Sequence, residues 1–121
     1  MKVLIIGCGR IFSKHFNSLK KIGEKKIKII GVCDSNSSKK KEIEEKYNLK
    51  FFKNYKKAIL QLKPDVMIIL TPSGLHAEQI LFSLKKKCNV IVEKPMCLKI
   101  SDAKNILSLS KKNKKRVFVV M

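Results

Sequence analysis

At 121 residues, 45% hydrophobic and 31% charged, the chain has room for one packed domain, spanning 1–121, and is too apolar to be disordered. No apolar stretch approaches the ~20 residues that cross a bilayer. The four cysteines (Cys8, Cys33, Cys88 and Cys97) show neither C-x-x-C nor paired spacing, which argues against a disulfide framework or a zinc site and leaves no metal in the reading.

Lys2-Val3-Leu4-Ile5-Ile6 is an unbroken apolar run that meets Gly7-Cys8-Gly9 directly. That pattern predicts a buried parallel strand, a tight turn and a helix. A helix N-terminus exposes unpaired N–H groups and a partial positive charge, which suits a diphosphate. Gly7 permits the turn, and Gly9 lets the backbone approach phosphate without a Cβ in the way. Phe12 stands where G-x-G-x-x-G has its third small residue, so helix and strand are expected to pack at a different distance here. Ile11, Phe12, His15, Phe16, Leu19 and Ile22 recur at helical spacing and predict an amphipathic helix over 10–22. His15 is read as a satisfied residue of its buried face.

A second apolar run, Ile27 to Cys33, ends at Asp34. An acidic residue at that position accepts hydrogen bonds from an adenosine ribose. Ser35 follows instead of an arginine, so NAD is expected ahead of NADP. A charged helix is predicted over 36–47, and Phe51-Phe52 as a short third strand. Asn54 caps the next helix, 55–62. Val66 to Leu70 is a fourth strand, edged by Thr71-Pro72-Ser73-Gly74-Leu75-His76, and a helix then runs to Lys86. Val90-Ile91-Val92 is a fifth strand ending in Glu93-Lys94-Pro95. Ser101 caps a helix to Asn113, and a sixth strand begins at Arg116.

Strands and helices thus alternate with short connections. The expected fold is α/β, a doubly wound parallel Rossmann sheet of six strands in the order 3-2-1-4-5-6. Ligands of such sheets lie beyond the carboxyl ends of the strands, where the strand order reverses. The glycine turn, Thr71 to His76, and Glu93 to Pro95 all fall at carboxyl ends. Lys94 beside a nicotinamide could hold a substrate hydroxyl and favour its deprotonation as hydride leaves.

Val3-Leu4-Ile5-Ile6-Gly7-Cys8-Gly9-Arg10-Ile11 with His15, Gly31-Val32-Cys33-Asp34, Thr71 to His76, and Val92-Glu93-Lys94-Pro95-Met96 together resemble the N-terminal domain of the glucose–fructose oxidoreductase / inositol dehydrogenase / MocA family. With Val-Phe-Val-Val near the end, they are similar to the branch that oxidises UDP-N-acetylglucosaminuronate at C3 in surface-polysaccharide synthesis. The resemblance implies a cofactor site made from Gly7, Cys8, Gly9, Arg10, Ile11, Asp34, Thr71, Pro72, Ser73, His76, Glu93, Lys94 and Pro95. It also implies a catalytic Lys94 next to nicotinamide and substrate, and a peptide before Pro95 that is often cis. Family members continue into a second α/β domain that binds the sugar and forms the oligomer interface. That second domain is absent from this sequence, so the chain is expected to be a fragment or a truncated product, and a homo-oligomer only where that domain exists.

The expected function is NAD-dependent hydride transfer from a sugar or nucleotide-sugar hydroxyl, in the cytoplasm, since the chain opens on a strand with no signal peptide before it. A non-catalytic NAD-binding sensor or partner module is one alternative. A basic nucleic-acid-binding protein is the other, prompted by the net charge of +19. Against it, only Arg10 and Arg116 of the 28 basic residues are arginine, the residue that base reading and bidentate phosphate contact favour. The lysines are scattered through every polar segment and read as a solvated face.

Overall fold

The computed structural model describes all 121 residues. The strands are β1 (Lys2–Ile6), β2 (Lys28–Cys33), β3 (Phe51–Phe52), β4 (Val66–Ile69), β5 (Asn89–Val92) and β6 (Val117–Val119). The helices are α1 (Phe12–Ile22), α2 (Lys40–Tyr47), α3 (Tyr55–Leu62), α4 (His76–Lys85) and α5 (Ile100–Asn113), with single 3₁₀ turns at Ser37–Lys39 and Ser73–Leu75. All strands pair in parallel, in the order β3-β2-β1-β4-β5-β6. This is the six-stranded Rossmann arrangement that the alternating apolar runs predict.

Alternate residues of each strand face opposite sides of the sheet, and both sides are covered. Leu4, Ile6, Met67, Ile69, Val90 and Val92 form one core with α3, α4 and α5 through Ile59, Ile80, Leu84 and Ile106. Val3, Ile5, Val32, Ile68 and Leu70 form the other with α1 and α2, through Phe12 and Ile43. Burial on both faces is why the central strands read as continuous apolar runs and do not alternate. The bulk of Phe12 is taken up on the second side. Its ring is 3% exposed, stacks on Phe16 and meets Tyr47 of α2 edge-on at 5.0 Å between centroids. The side chain thus fills the space between two helices.

Several element ends differ from the sequence reading. Helix α1 begins at Phe12, not at 10, because Gly9, Arg10 and Ile11 form the turn itself. The segment from 36 enters α2 through the 3₁₀ turn, which Asn36 caps by accepting from the Ser38 N–H at 3.1 Å. Asn54 caps α3 as expected, accepting from the Lys57 N–H at 3.1 Å. Ser101 does not cap α5: the helix starts one residue earlier, behind an extended Lys99 that makes no side-chain cap.

The fold makes different demands on the two glycines of the first turn. Gly7 has φ +100°, and a Cβ there would sit 2.8 Å from the Leu70 carbonyl carbon and 3.0 Å from the Thr71 nitrogen. A Cβ on Gly9 would meet nothing within 4 Å. Gly7→Ala is therefore expected to destabilise the fold by about 2–4 kcal/mol, from left-handed strain plus a backbone clash. Gly9→Ala should stay within about 0.5 kcal/mol. Chemical denaturation of the two variants side by side checks the contrast.

Candidate functional site

The turn after β1 is fastened to the end of β2. Gly7 N–H donates to the Cys33 carbonyl at 2.7 Å, and Cys8 N–H donates to Asp34 Oδ2 at 2.7 Å. Asp34 Oδ1 accepts from the Asn36 N–H at 2.8 Å. A carboxylate offers about four lone-pair sites, so Asp34 keeps acceptor capacity for ribose hydroxyls while it holds the turn. The N–H groups of Gly9, Arg10 and Ile11 donate to no group of the protein. Three consecutive free donors at the N-terminus of α1 are what a diphosphate needs. Beside them a cleft of about 480 Å³ is lined by Gly7, Gly9, Asp34, Tyr55, Thr71 and Pro72. Its donors, acidic residue and open backbone fit a dinucleotide.

The rest of the expected site splits into groups that face the cleft and groups that hold its rim. Thr71 and Pro72 line the cleft, and the Thr71 hydroxyl donates to Gln79 Oε1 at 2.5 Å. Ser73 opens the 3₁₀ turn beside them and is half-buried. His76, expected among the cofactor contacts, is 1% exposed. Its Nε2 lies 2.7 Å from the Thr71 carbonyl oxygen and its Nδ1 2.7 Å from that of Pro95. Both partners are acceptors, so a neutral ring donates to one carbonyl while the other lies in contact with it. His76 thus stands between β4's exit and the loop after β5.

His15 also departs from expectation. It is half-buried, and its Nε2 meets Glu93 Oε1 at 2.6 Å. The first turns of α1 run along the carboxyl edge of the sheet, so part of the helix face read as core looks onto the loop after β5. Lys94 is exposed and belongs to none of the three ion pairs of the molecule. The Lys94–Pro95 peptide is cis. Sequence reasoning missed both histidine ties. The one available signal was that each histidine sits at the start of a helix following a strand end.

The oxidoreductase family with an NAD-binding Rossmann fold (Gfo/Idh/MocA) matches residues 1–121. The chain belongs to that family. D-glucoside 3-dehydrogenase of Escherichia coli K12 is 29% identical over 93% of this chain and 32% of its own length. Myo-inositol 2-dehydrogenase of Thermotoga maritima is 27% identical over 93% and 33%. The WlbA dehydrogenase of Chromobacterium violaceum, solved in complex with NADH and UDP-GlcNAcA, superposes with a TM-score of 0.92 at 31% identity, covering 99% of this chain and 34% of that one. The chain thus spans about a third of the length of these relatives. It is the NAD-binding domain of the family, and none of its helices is long and apolar enough to cross a membrane.

All four cysteines of this NAD-binding domain are free. Burial, reinforced by the Asp34 charge, pushes the Cys8 and Cys33 thiols up to about 12, and burial also raises Cys88. Cys8 sits in the coenzyme turn as a neutral, packed thiol and not as a nucleophile. A thiol reagent followed by mass mapping should modify the half-buried Cys97 first, with Cys8, Cys33 and Cys88 reacting only on unfolding. The raised values carry a sign for stability. Unfolded thiols ionise from about 9.0, whereas Cys8 and Cys33 stay protonated up to about 12. Stability should fall as pH rises through that window, which denaturation between pH 8 and 11 checks.

Proposed function

We propose that this domain is the coenzyme half of a dehydrogenase acting on a sugar or nucleotide-sugar hydroxyl, with Lys94 as its catalytic residue. The observation that carries the catalytic assignment is the state of Lys94. It stands at the carboxyl edge of β5, exposed and unpaired, while the side chain of Glu93 and the carbonyl of Pro95 are both tied to histidines. The rival use of Lys94, an ion pair with Glu93, is not made, because Glu93 is committed to His15. NAD, when bound, supplies the hydride acceptor. Lys94 holds the substrate hydroxyl and draws off its proton as the carbon is oxidised. Gly9, Arg10 and Ile11 offer their N–H groups to the diphosphate, Asp34 accepts from the adenosine ribose, and Thr71 and Pro72 form the opposite wall.

The relative solved with NADH and UDP-GlcNAcA supports a nucleotide-sugar acid as substrate; surface-polysaccharide synthesis in the cytoplasm is the setting we propose with it, on the likeness of the sequence motifs alone. The curated relatives are named for glucoside and inositol oxidation, which supports the broader class of polyhydroxylated rings. Hydride transfer requires carbons held about 3–3.5 Å apart. This domain fixes one of them, so the 121-residue chain should bind NAD with negligible turnover, and a homo-oligomer is expected only where a sugar-binding domain is joined to it.

Isothermal titration with NAD and NADP tests the coenzyme reading. NAD is expected to bind and NADP to bind more weakly. No binding of either at millimolar concentration removes the reading, and tighter NADP binding reverses the roles given to Asp34 and Ser35. Asp34→Ala should weaken NAD roughly 10–100-fold, the loss of about 1.5–3 kcal/mol of charged hydrogen bonding. In a chain long enough to hold the sugar, Lys94→Ala should lower kcat about 10²–10⁴-fold with NAD affinity little changed. Normal turnover by that variant would leave Lys94 a loop charge only.

A further inference from the structure

The loop after β5 presents a geometric problem. Strand pairing holds it as far as Glu93, whose N–H donates to the Ile69 carbonyl at 3.0 Å. Lys94 itself makes no hydrogen bond through backbone or side chain. A group that takes part in proton transfer has to be held within about 0.5 Å of its working position, and a surface loop with no bonds of its own does not provide that.

The two neighbours of Lys94 supply the missing restraint. On one side the Glu93 carboxylate meets His15 Nε2 at 2.6 Å, reaching across to α1 and the coenzyme turn. On the other the Pro95 carbonyl meets His76 Nδ1 at 2.7 Å, and the same ring meets the Thr71 carbonyl through Nε2. The two histidines start from different helices and reach the same three-residue segment. His76 is 1% exposed and immobilised by packing, whereas His15 is partly open to solvent. Both ties also lead to the coenzyme cleft, one through α1 and the other through Thr71, which lines it.

We propose that His15 and His76 are positioning residues that clamp Lys94 from both sides, His15 through the Glu93 carboxylate and His76 through the Pro95 carbonyl, so that the lysine is fixed relative to the coenzyme turn. The catalytic consequence rests on the reading of Lys94 given above; the clamp itself does not. His15 is the more useful residue to change, because its partial exposure allows the fold to survive.

The clamp is tested first on the 121-residue chain by backbone relaxation, which reports the amide order parameter at Lys94. The native value is expected near 0.85 and should fall below about 0.6 in His15→Leu, the rigid and flexible limits, with strand amides and Tm unchanged. His15→Gln, whose side-chain amide still donates to the carboxylate, should restore it. His76→Phe, which fills the buried position without offering a donor to the Pro95 carbonyl, should loosen Lys94 as well. If Lys94 keeps its order in both His15→Leu and His76→Phe, the clamp is overturned. It is equally overturned if loosening spreads through the whole sheet with a fall in Tm, since the histidines would then serve the fold and not the lysine.

The second arm uses a chain long enough to turn over. His15→Leu should lower kcat about 10-fold or more with KM for NAD unchanged, and should cost nothing further in a Lys94→Ala background, as expected when one residue acts through another. An additional loss in that background overturns the inference. Intact turnover in Lys94→Ala alone would instead remove the catalytic reading of Lys94, while the order parameter at Lys94 would still decide the clamp.

Discussion

Much of this domain follows from the absence of a side chain at residue 7. Strand β1 pairs with both β2 and β4, and the Leu70 N–H donates to the Ile6 carbonyl at 2.7 Å. The chain leaving β1 must therefore turn within contact distance of the chain leaving β4. A Cβ at residue 7 would stand 2.8 Å from the Leu70 carbonyl carbon and 3.0 Å from its oxygen, too close for either to remain in place. With hydrogen there, the turn closes, its next N–H reaches Asp34, and three further N–H groups are left free at the head of α1. The cleft and the free donors depend on this one close backbone approach, at the point where the strand order reverses.

The fold was legible because burial on both faces makes each central strand a continuous apolar run, and glycines or prolines punctuate the ends. That Gly7, Gly9 and Asp34 meet at one cleft was legible for a related reason: each belongs to a local segment whose shape does not depend on distant partners. The histidines were not. Periodicity assigns His15 to a helix face but cannot tell which part of that face overhangs the sheet edge. His76 lies in a polar motif, and its burial depends on a loop 19 residues on that returns to cover it. The cap of α5 was misplaced by two residues, at Ser101 instead of Lys99, a common size of error at helix ends.

The basic character of the chain has a structural imprint that nucleic-acid binding does not need. Lysines occupy three of the four non-glycine positions with positive φ: Lys63, Lys87 and Lys114. Lys63 and Lys114 close α3 and α5 in the left-handed conformation that usually selects glycine or asparagine. An L-residue there costs about 1–2 kcal/mol. Lysine also stands over aromatic edges, as Lys56 does over Tyr55 and Phe82. Residues placed at strained caps as readily as on open faces show a preference for lysine throughout the chain and not a surface shaped for one partner.

Asp34 carries an implication for how such a domain changes its coenzyme over evolutionary time. Its two oxygens hold the Cys8 and Asn36 N–H groups, so the acid proposed to read the ribose is also a strut of the turn after β1. Replacing it to admit a 2′-phosphate removes selectivity and loosens the turn in the same step, and each intermediate would bind both coenzymes poorly. A lineage starting from this sequence has a shorter route open to it. Keeping the carboxylate and recruiting a cation from the exposed residues that follow it, at Ser35 or in the lysines from Lys39 onward, would shift preference while the strut stays in place.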